Sequence, residues 1–406
     1  MWCSMEYGPY SICEKDAAEY ILPDPLMTNS GKRINTAAEW HNFQRSEIMK
    51  LLQKYEYGEI LPRPDEMSFQ LLNCRKDALH GKAVRKEVRI SCSMFGGESI
   101  SFTILIYLPA AGTAPVPAFL GLNFHGNQNT TLETDVIPTG FIRSGELAAE
   151  GNGEQHSRWI PDEIVSRGYA SITCCYHDIF PDRLGGESDS VFKLFSAPGK
   201  TEVPGEKYSV IGAWSWGLSR IMDYLEHDPD IDQTRVTVHG HSRLGKTSLW
   251  AGAVDQRFKM VIANCSGCGG GALHKRKFGE NLSQHFQFHY DLGMPCWFMK
   301  ETEQFMFREE AMPIDQHELL AMIAPRPLAV GTATEDPLAD PRGEFLACRA
   351  ASEVYRLYGS KGLEVSEMPE PDKLIAGNIS FHYRTGVHDQ TPQDWGYYLQ
   401  LADRYL

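Results

Sequence analysis

One serine stands where it could do chemistry. In Val236-Thr237-Val238-His239-Gly240-His241-Ser242-Arg243-Leu244-Gly245-Lys246 an apolar run meets a glycine-flanked turn, and a helix begins just after it. A serine hydroxyl is a weak nucleophile at neutral pH. Hydrolases therefore raise it on a strained strand-to-helix turn, within reach of a base and of backbone N–H groups aimed at a forming oxyanion. The spacing here is G-x-S-x-x-G rather than the commoner G-x-S-x-G. Short glycine motifs recur by chance, so it is the strand-turn-helix context that gives this one meaning.

Such a serine needs a base and an acid, which in this layout follow it in the chain as Asp or Glu, then His. The apolar run Leu328 to Ala333 ends in Thr334-Glu335-Asp336-Pro337-Leu338-Ala339-Asp340, which puts carboxylates at a strand's C-terminal end. Asp336 is the first choice for the acid, with Glu335 and Asp340 behind it. Gly386-Val387-His388-Asp389 follows an extended stretch at Ile379 to Tyr383 and precedes a helix with Trp395 and Leu399, so His388 occupies the expected loop. An imidazole there can take the serine proton and return it to the leaving group. With 14 histidines in the chain, His382 competes for that role. His239 and His241 are expected to point into the sheet or its rim, and His317 to be structural. For the oxyanion, Arg243 offers its backbone N–H and a guanidinium beside the nucleophile, and Asn123-Phe124-His125-Gly126-Asn127 ends an earlier strand as a candidate pocket wall.

The elements that must hold these residues are legible as patterns. Residues 36–55 carry Trp40, Phe43, Ile48, Leu51 and Leu52 on one helical face, between Pro23-Pro25 and Pro62-Pro64. With its flanks, 1–80 reads as an N-terminal arm packed on a larger body. Extended runs follow at 83–90, 100–108 and 118–124, separated by Gly96-Gly97 and a proline-rich bend. Beyond them strands and helices alternate: strand 169–175, helix 210–225, strand 235–239, helix from 243, strand 260–263, helix near 318, strand 328–333 and helix 344–358. That alternation predicts a mostly parallel sheet covered by helices on both faces. The polar loop from Gly126 to Arg158 is long enough to line a site or act as a lid.

With 406 residues, 42% of them hydrophobic, the chain can bury a large core, and one enlarged domain spanning 1–406 is expected. The net charge of -14 argues against nucleic acid or an anionic membrane surface as a partner, and requires a local basic pocket for any anionic substrate. No stretch is long and apolar enough for a membrane span. Residues 1–20 mix Glu6, Glu14, Lys15, Asp16 and Glu19 among apolar residues, unlike a signal peptide. As written the chain is expected to be cytoplasmic, or to have had an export signal removed. Ten cysteines, at 3, 13, 74, 92, 174, 175, 265, 268, 296 and 348, are scattered and read mostly as reduced core residues. Cys265-x-x-Cys268 is the only metal-like spacing and lacks a second pair, so no metal is assigned to the site.

Several stretches together resemble the glucuronoyl esterases, carbohydrate esterases that cleave the ester between glucuronic acid on xylan and lignin alcohols. They are Leu22-Pro23-Asp24-Pro25-Leu26, Trp214-Ser215-Trp216-Gly217-Leu218-Ser219-Arg220, Gly240-His241-Ser242-Arg243-Leu244-Gly245-Lys246, Ser266-Gly267-Cys268-Gly269-Gly270, Asp315-Gln316-His317-Glu318-Leu319-Leu320 and Asp340-Pro341-Arg342-Gly343-Glu344-Phe345. The resemblance covers nearly the whole chain and is closer to the bacterial branch than to the fungal one. It implies an α/β-hydrolase fold, a three-layer αβα sandwich. It further implies Ser242 as nucleophile, His388 as base and Arg243 as oxyanion stabiliser, with Lys246 and Glu280 at the sugar hydroxyls. Two departures stand out. Cys265 occupies a position where many members carry an acid, which favours Asp336, at the other acid location used among bacterial members. Leu338 stands where such members often carry a tryptophan, so an aromatic plate for the sugar ring is expected to be missing.

The resulting expectation is a serine carboxylic-ester hydrolase acting on esters of glucuronic or 4-O-methylglucuronic acid on glucuronoxylan, without metal or organic cofactor. Arg243 and Lys246 would supply the positive field for a uronate. Two other readings compete: a different carbohydrate esterase, such as one deacetylating xylan, and a carbohydrate-binding protein on a disabled hydrolase scaffold.

Overall fold

The computed structural model describes residues 10–95, 97–112, 115–143, 146–147, 151–196 and 206–406. Cys3, Glu6 and Gly96, used above, lie outside these residues, as do parts of the 126–158 loop. The strands of the main sheet are β1 (Glu66–Asp77), β2 (Ala83–Ser93), β3 (Ser99–Pro109), β4 (Val116–Asn123), β5 (Ala170–Cys175), β6 (Ile231–His241), β7 (Met260–Asn264), β8 (Leu328–Ala333), β9 (Leu374–Ile375) and β10 (Ile379–Arg384). Their order across the sheet is β1-β2-β3-β5-β4-β6-β7-β8-β10-β9. The six strands from β5 to β10 in that order run parallel. The pairings beyond them on both sides are antiparallel.

Side-chain alternation divides the apolar residues of the sheet between two cores, because successive residues of a strand face opposite ways. Leu120, Val261 and Val330 join the larger core with residues of the helices Val210–Leu225 (α1), Arg243–Val254 (α2) and Pro341–Leu357 (α3). Phe119, Ile262 and Ala329, their neighbours in sequence, join a smaller core with Ile164 of helix Pro161–Ser166 and with Trp395, Tyr398 and Leu399 of helix Pro392–Tyr405 (α4). The layers are helix, sheet, helix. Strands covered on both faces read as continuous apolar runs, which is why β8 is buried at every residue.

The helical arm spans residues 37–57, as expected, although it passes through two π-helical turns at Trp40–Gln44 and Gln53–Tyr57. The arm ends earlier than residue 80, since β1 belongs to the sheet. Glu66–Asp77 is an edge strand, half exposed along its length, and its polar residues hide the apolar run by which a central strand announces itself. Farther toward the N-terminus the arm straps onto residues 276–279, where Ala18 N–H donates to the Arg276 carbonyl and Gly279 N–H to the Ser11 carbonyl. No helix among the described residues is long and apolar enough to cross a membrane.

Candidate active site

Ser242 follows the last residue of β6 and precedes the first of α2, with φ 57° and ψ -128°. A non-glycine residue held at positive φ stores about 1–3 kcal/mol, so the surroundings must impose it. They do so through the two glycines. A Cβ on Gly240 would lie 1.9 Å from the Leu244 carbonyl oxygen, and one on Gly245 3.1 Å from both the Asn264 carbonyl oxygen and the Ser266 Cβ. The wider glycine spacing thus lets the first turn of α2 press against the strand end and the neighbouring Ser266 loop. Ser242 N–H donates to the Asn264 carbonyl at 2.8 Å, tying the turn to the end of β7.

His388 lies on the loop after β10, its side chain 42% exposed, with Nδ1 2.6 Å from Oδ2 of buried Asp336. Asp336 follows β8, two strands from β6 across the sheet. Arg384 holds the His388 loop from within, donating from Nη2 to the carbonyls of Val387 and Asp389, both at 2.9 Å, and from Nε to Asp394. Arg158, from the long loop, donates to the Asp389 carboxylate at 2.5 Å. The other two acids are placed differently. Asp340 pairs with Arg276 and caps α3 at Gly343, and Glu335 is exposed while its N–H donates to the Gly386 carbonyl.

The remaining histidines separate cleanly. His382 pairs with Asp394 at 2.7 Å, buried beneath the sheet end. His239 is enclosed by Phe119, Trp159 and Trp395, and burial pushes its imidazole down to about 3. His317 donates to the Pro23 carbonyl and anchors the arm. His241, buried at the end of β6, has its ring centroid 4.6 Å from that of His388, and its Nδ1 meets Asn264 Oδ1 at 2.7 Å. Burial first, and then the neighbouring His388, hold His241 well below the usual imidazole range, so it stays neutral beside the candidate base.

Arg243 points into a cradle that the sequence did not announce. Its Nη1 donates to Asp182 at 2.5 Å, and its guanidinium lies 4.4 Å from the centroid of Trp297 and 5.8 Å from that of Phe124. Asp182 also accepts from Trp297 Nε1 at 3.0 Å and Tyr176 Oη at 3.1 Å. Burial alone would lower the Arg243 pKa, but Tyr176 and Asp182 outweigh it and raise it. Lys246 is buried as well, its Nζ 2.7 Å from the Ser266 carbonyl and 3.3 Å from Glu280 Oε2. Each cation therefore has an acidic partner, and the local positive field is weaker than two free charges would give. Of the 123–127 segment, Phe124 comes within 5.8 Å of the Arg243 guanidinium. Leu338 supports the site through its backbone, accepting from Glu280 N–H at 2.9 Å. The indole near the two cations is that of Trp297, 4.4 Å from the Arg243 guanidinium and 6.0 Å from Lys246 Nζ.

Cys265 and Cys268 do not act as a pair. Cys268 faces His274 at 3.5 Å, whereas Cys265 joins Asp336 and His388 in a group whose ligand atoms lie within 4.8 Å of one another. Asp182 lies seven residues beyond the end of β5, past a turn at Tyr176–Asp178, so its place after a strand does not single it out. Trp297 lies in irregular chain and is not singled out either.

A family description for fungal glucuronyl esterases matches residues 165–359. The carbohydrate esterase MZ0003, from an unknown prokaryotic organism, is 40% identical over 408 residues, covering 98% of this chain and 92% of that protein. The chain is a member of the glucuronoyl esterase family. It is a carboxylic ester hydrolase with the family's α/β-hydrolase fold. The solved glucuronoyl esterase from Solibacter usitatus superposes with a TM-score of 0.88 at 37% identity, covering 96% of this chain and 99% of that one. A promiscuous CE15 esterase from a marine bacterial metagenome gives 0.87 at 39% identity, covering 98% and 100%. The 4-O-methyl-glucuronoyl methylesterase of Schizophyllum commune is 29% identical over 342 residues, 83% of this chain and 74% of that one.

Within this esterase, Asp182→Asn tests the cradle. The amide still accepts one hydrogen bond but no longer carries the charge that holds the guanidinium, so kcat is expected to fall about ten- to a hundredfold with KM changed far less. Steady-state kinetics on a glucuronate ester provides the check. A mutant that alters KM alone would mean that Arg243 is not engaged in the transition state.

Proposed function

We propose that this esterase hydrolyses esters of glucuronic and 4-O-methylglucuronic acid, such as those joining glucuronoxylan to lignin alcohols, through a Ser242–His388–Asp336 acyl-enzyme mechanism. The 2.6 Å contact between His388 Nδ1 and Asp336 carries the reading, since it fixes the imidazole tautomer that leaves Nε2 free to accept a proton. Ser242 attacks the ester carbonyl as His388 takes its proton. The tetrahedral oxyanion is met by the Arg243 guanidinium and backbone N–H. His388 returns the proton to the departing alcohol, and water then releases the acid by the same steps. Lys246 and Glu280 meet the sugar hydroxyls. The names of relatives such as the Schizophyllum commune methylesterase support the uronate as the acid part.

Turnover of benzyl glucuronate against 4-nitrophenyl acetate tests the assignment. The glucuronate ester is expected to have the higher kcat/KM, and hydrolysis of the acetate alone would replace the reading with a xylan deacetylase. Glu280→Gln gives a finer check. It keeps the shape but weakens the grip on Lys246 and on a hydroxyl, so KM for the glucuronate ester is expected to rise about tenfold, with acetate turnover nearly unchanged.

A further inference from the structure

Cys265 sits at the end of β7, where its sulfur belongs to the same small group as the Asp336 carboxylate and the His388 imidazole. Thiolate, imidazole and carboxylate are the three donor types that a zinc-like cation takes together. Around a tetrahedral ion such donors stand about 3–4 Å from one another, as bond lengths near 2.0–2.3 Å require. The group's outer limit of 4.8 Å and the 2.6 Å His388–Asp336 contact bracket that range. Modest side-chain movement suffices to close the set.

Charge favours the same occupant. A dication with one thiolate and one carboxylate forms a neutral unit, which removes the cost of leaving a net charge in a buried place. The charged groups that act on the sulfur are the carboxylates Asp336, Glu344 and Asp394 and the cation Arg384, and Arg384 is itself bonded to Asp394. Asp336 and Cys265 are buried, whereas the His388 side chain is 42% exposed, which gives an ion a way in and leaves a coordination position for water.

We propose that Cys265, Asp336 and His388 form a binding site for a thiophilic divalent cation of the zinc class, and that its occupation switches the esterase off. On binding, the Cys265 S–H bond breaks, a metal–sulfur bond forms, and the thiol proton goes to solvent. The metal takes the lone pair of His388 Nδ1, and the ring proton moves to Nε2. Nothing is oxidised or reduced. An imidazole protonated on Nε2 and metallated on Nδ1 cannot accept the serine proton, so the base is lost. Binding is independent of the proposed function, whereas the loss of activity rests on His388 as the base.

The test uses the whole protein with Zn²⁺ for activity and Co²⁺ for spectroscopy. Zn²⁺ is expected to inhibit hydrolysis of benzyl glucuronate, with Mg²⁺ without effect and a chelator restoring the rate. Co²⁺ is expected to give a thiolate-to-metal absorption band at one ion per chain. Cys265→Ser is expected to abolish the band and to raise the zinc concentration needed for inhibition by at least about tenfold. His388→Gln, at an exposed side chain, provides a second variant should the first not fold, and it is expected to lose the band as well. A band that survives in either variant, equal zinc sensitivity in Cys265→Ser and the parent, or no band in the parent would overturn the proposal. Failure of the metal-free parent to hydrolyse the glucuronate ester would count against the proposed function and leave the spectroscopic result to be judged by itself.

Discussion

Ser242→Ala is expected to lower kcat on a glucuronate ester by about four to six orders of magnitude while the Kd for glucuronate stays within about threefold. The change removes one oxygen from a side chain whose backbone is set by Gly240, Gly245 and the bond to the Asn264 carbonyl, so the turn survives it. Arg243 remains against Asp182 and Trp297, and Lys246 against Glu280. The acid product should therefore still bind. Stopped assays for the rate and calorimetric titration with glucuronate for the affinity measure the two quantities separately. Retained esterase activity in the mutant would mean that the chemistry uses another nucleophile.

Asp336→Asn is expected to cost about three to four orders of magnitude in kcat with little change in thermal stability. The amide is isosteric, so the buried position stays filled. What fails is electrostatic. An asparagine can orient the ring in the wrong tautomer and cannot stabilise the imidazolium that forms when His388 holds the serine proton. Because Asp340 is committed to Arg276 and to the start of α3, a mutant close to the parent in rate would move the role to Glu335. Circular dichroism and a melting curve on the same sample separate this outcome from unfolding.

The parts of the fold that could be read in advance are those where burial writes itself into composition. β8 and the helix Val210–Leu225 coincide with their expected spans because both are buried almost throughout and bounded by polar or proline residues. β1 escaped because an edge strand has one solvated side and no apolar run. In the site, Ser242, Asp336 and His388 each follow the C-terminal end of a parallel strand, a place that topology marks. Glu280 had no such mark, and only the family resemblance singled it out. Asp182 and Trp297 meet Arg243 through contacts far apart in sequence, which no local period encodes. Lys246 lies one turn after Ser242 on α2, but its burial against the Ser266 carbonyl depends on a loop whose path the sequence leaves open. His241, the last residue of β6, lies at the rim of the sheet with its ring beside that of His388.

Cys265 and Asp336 follow the ends of two adjacent strands, β7 and β8, and each brings a ligand atom within 4.8 Å of the His388 imidazole. A carboxylate placed at either strand end would stand within reach of the imidazole, so the fold offers two anchor points for one orienting acid.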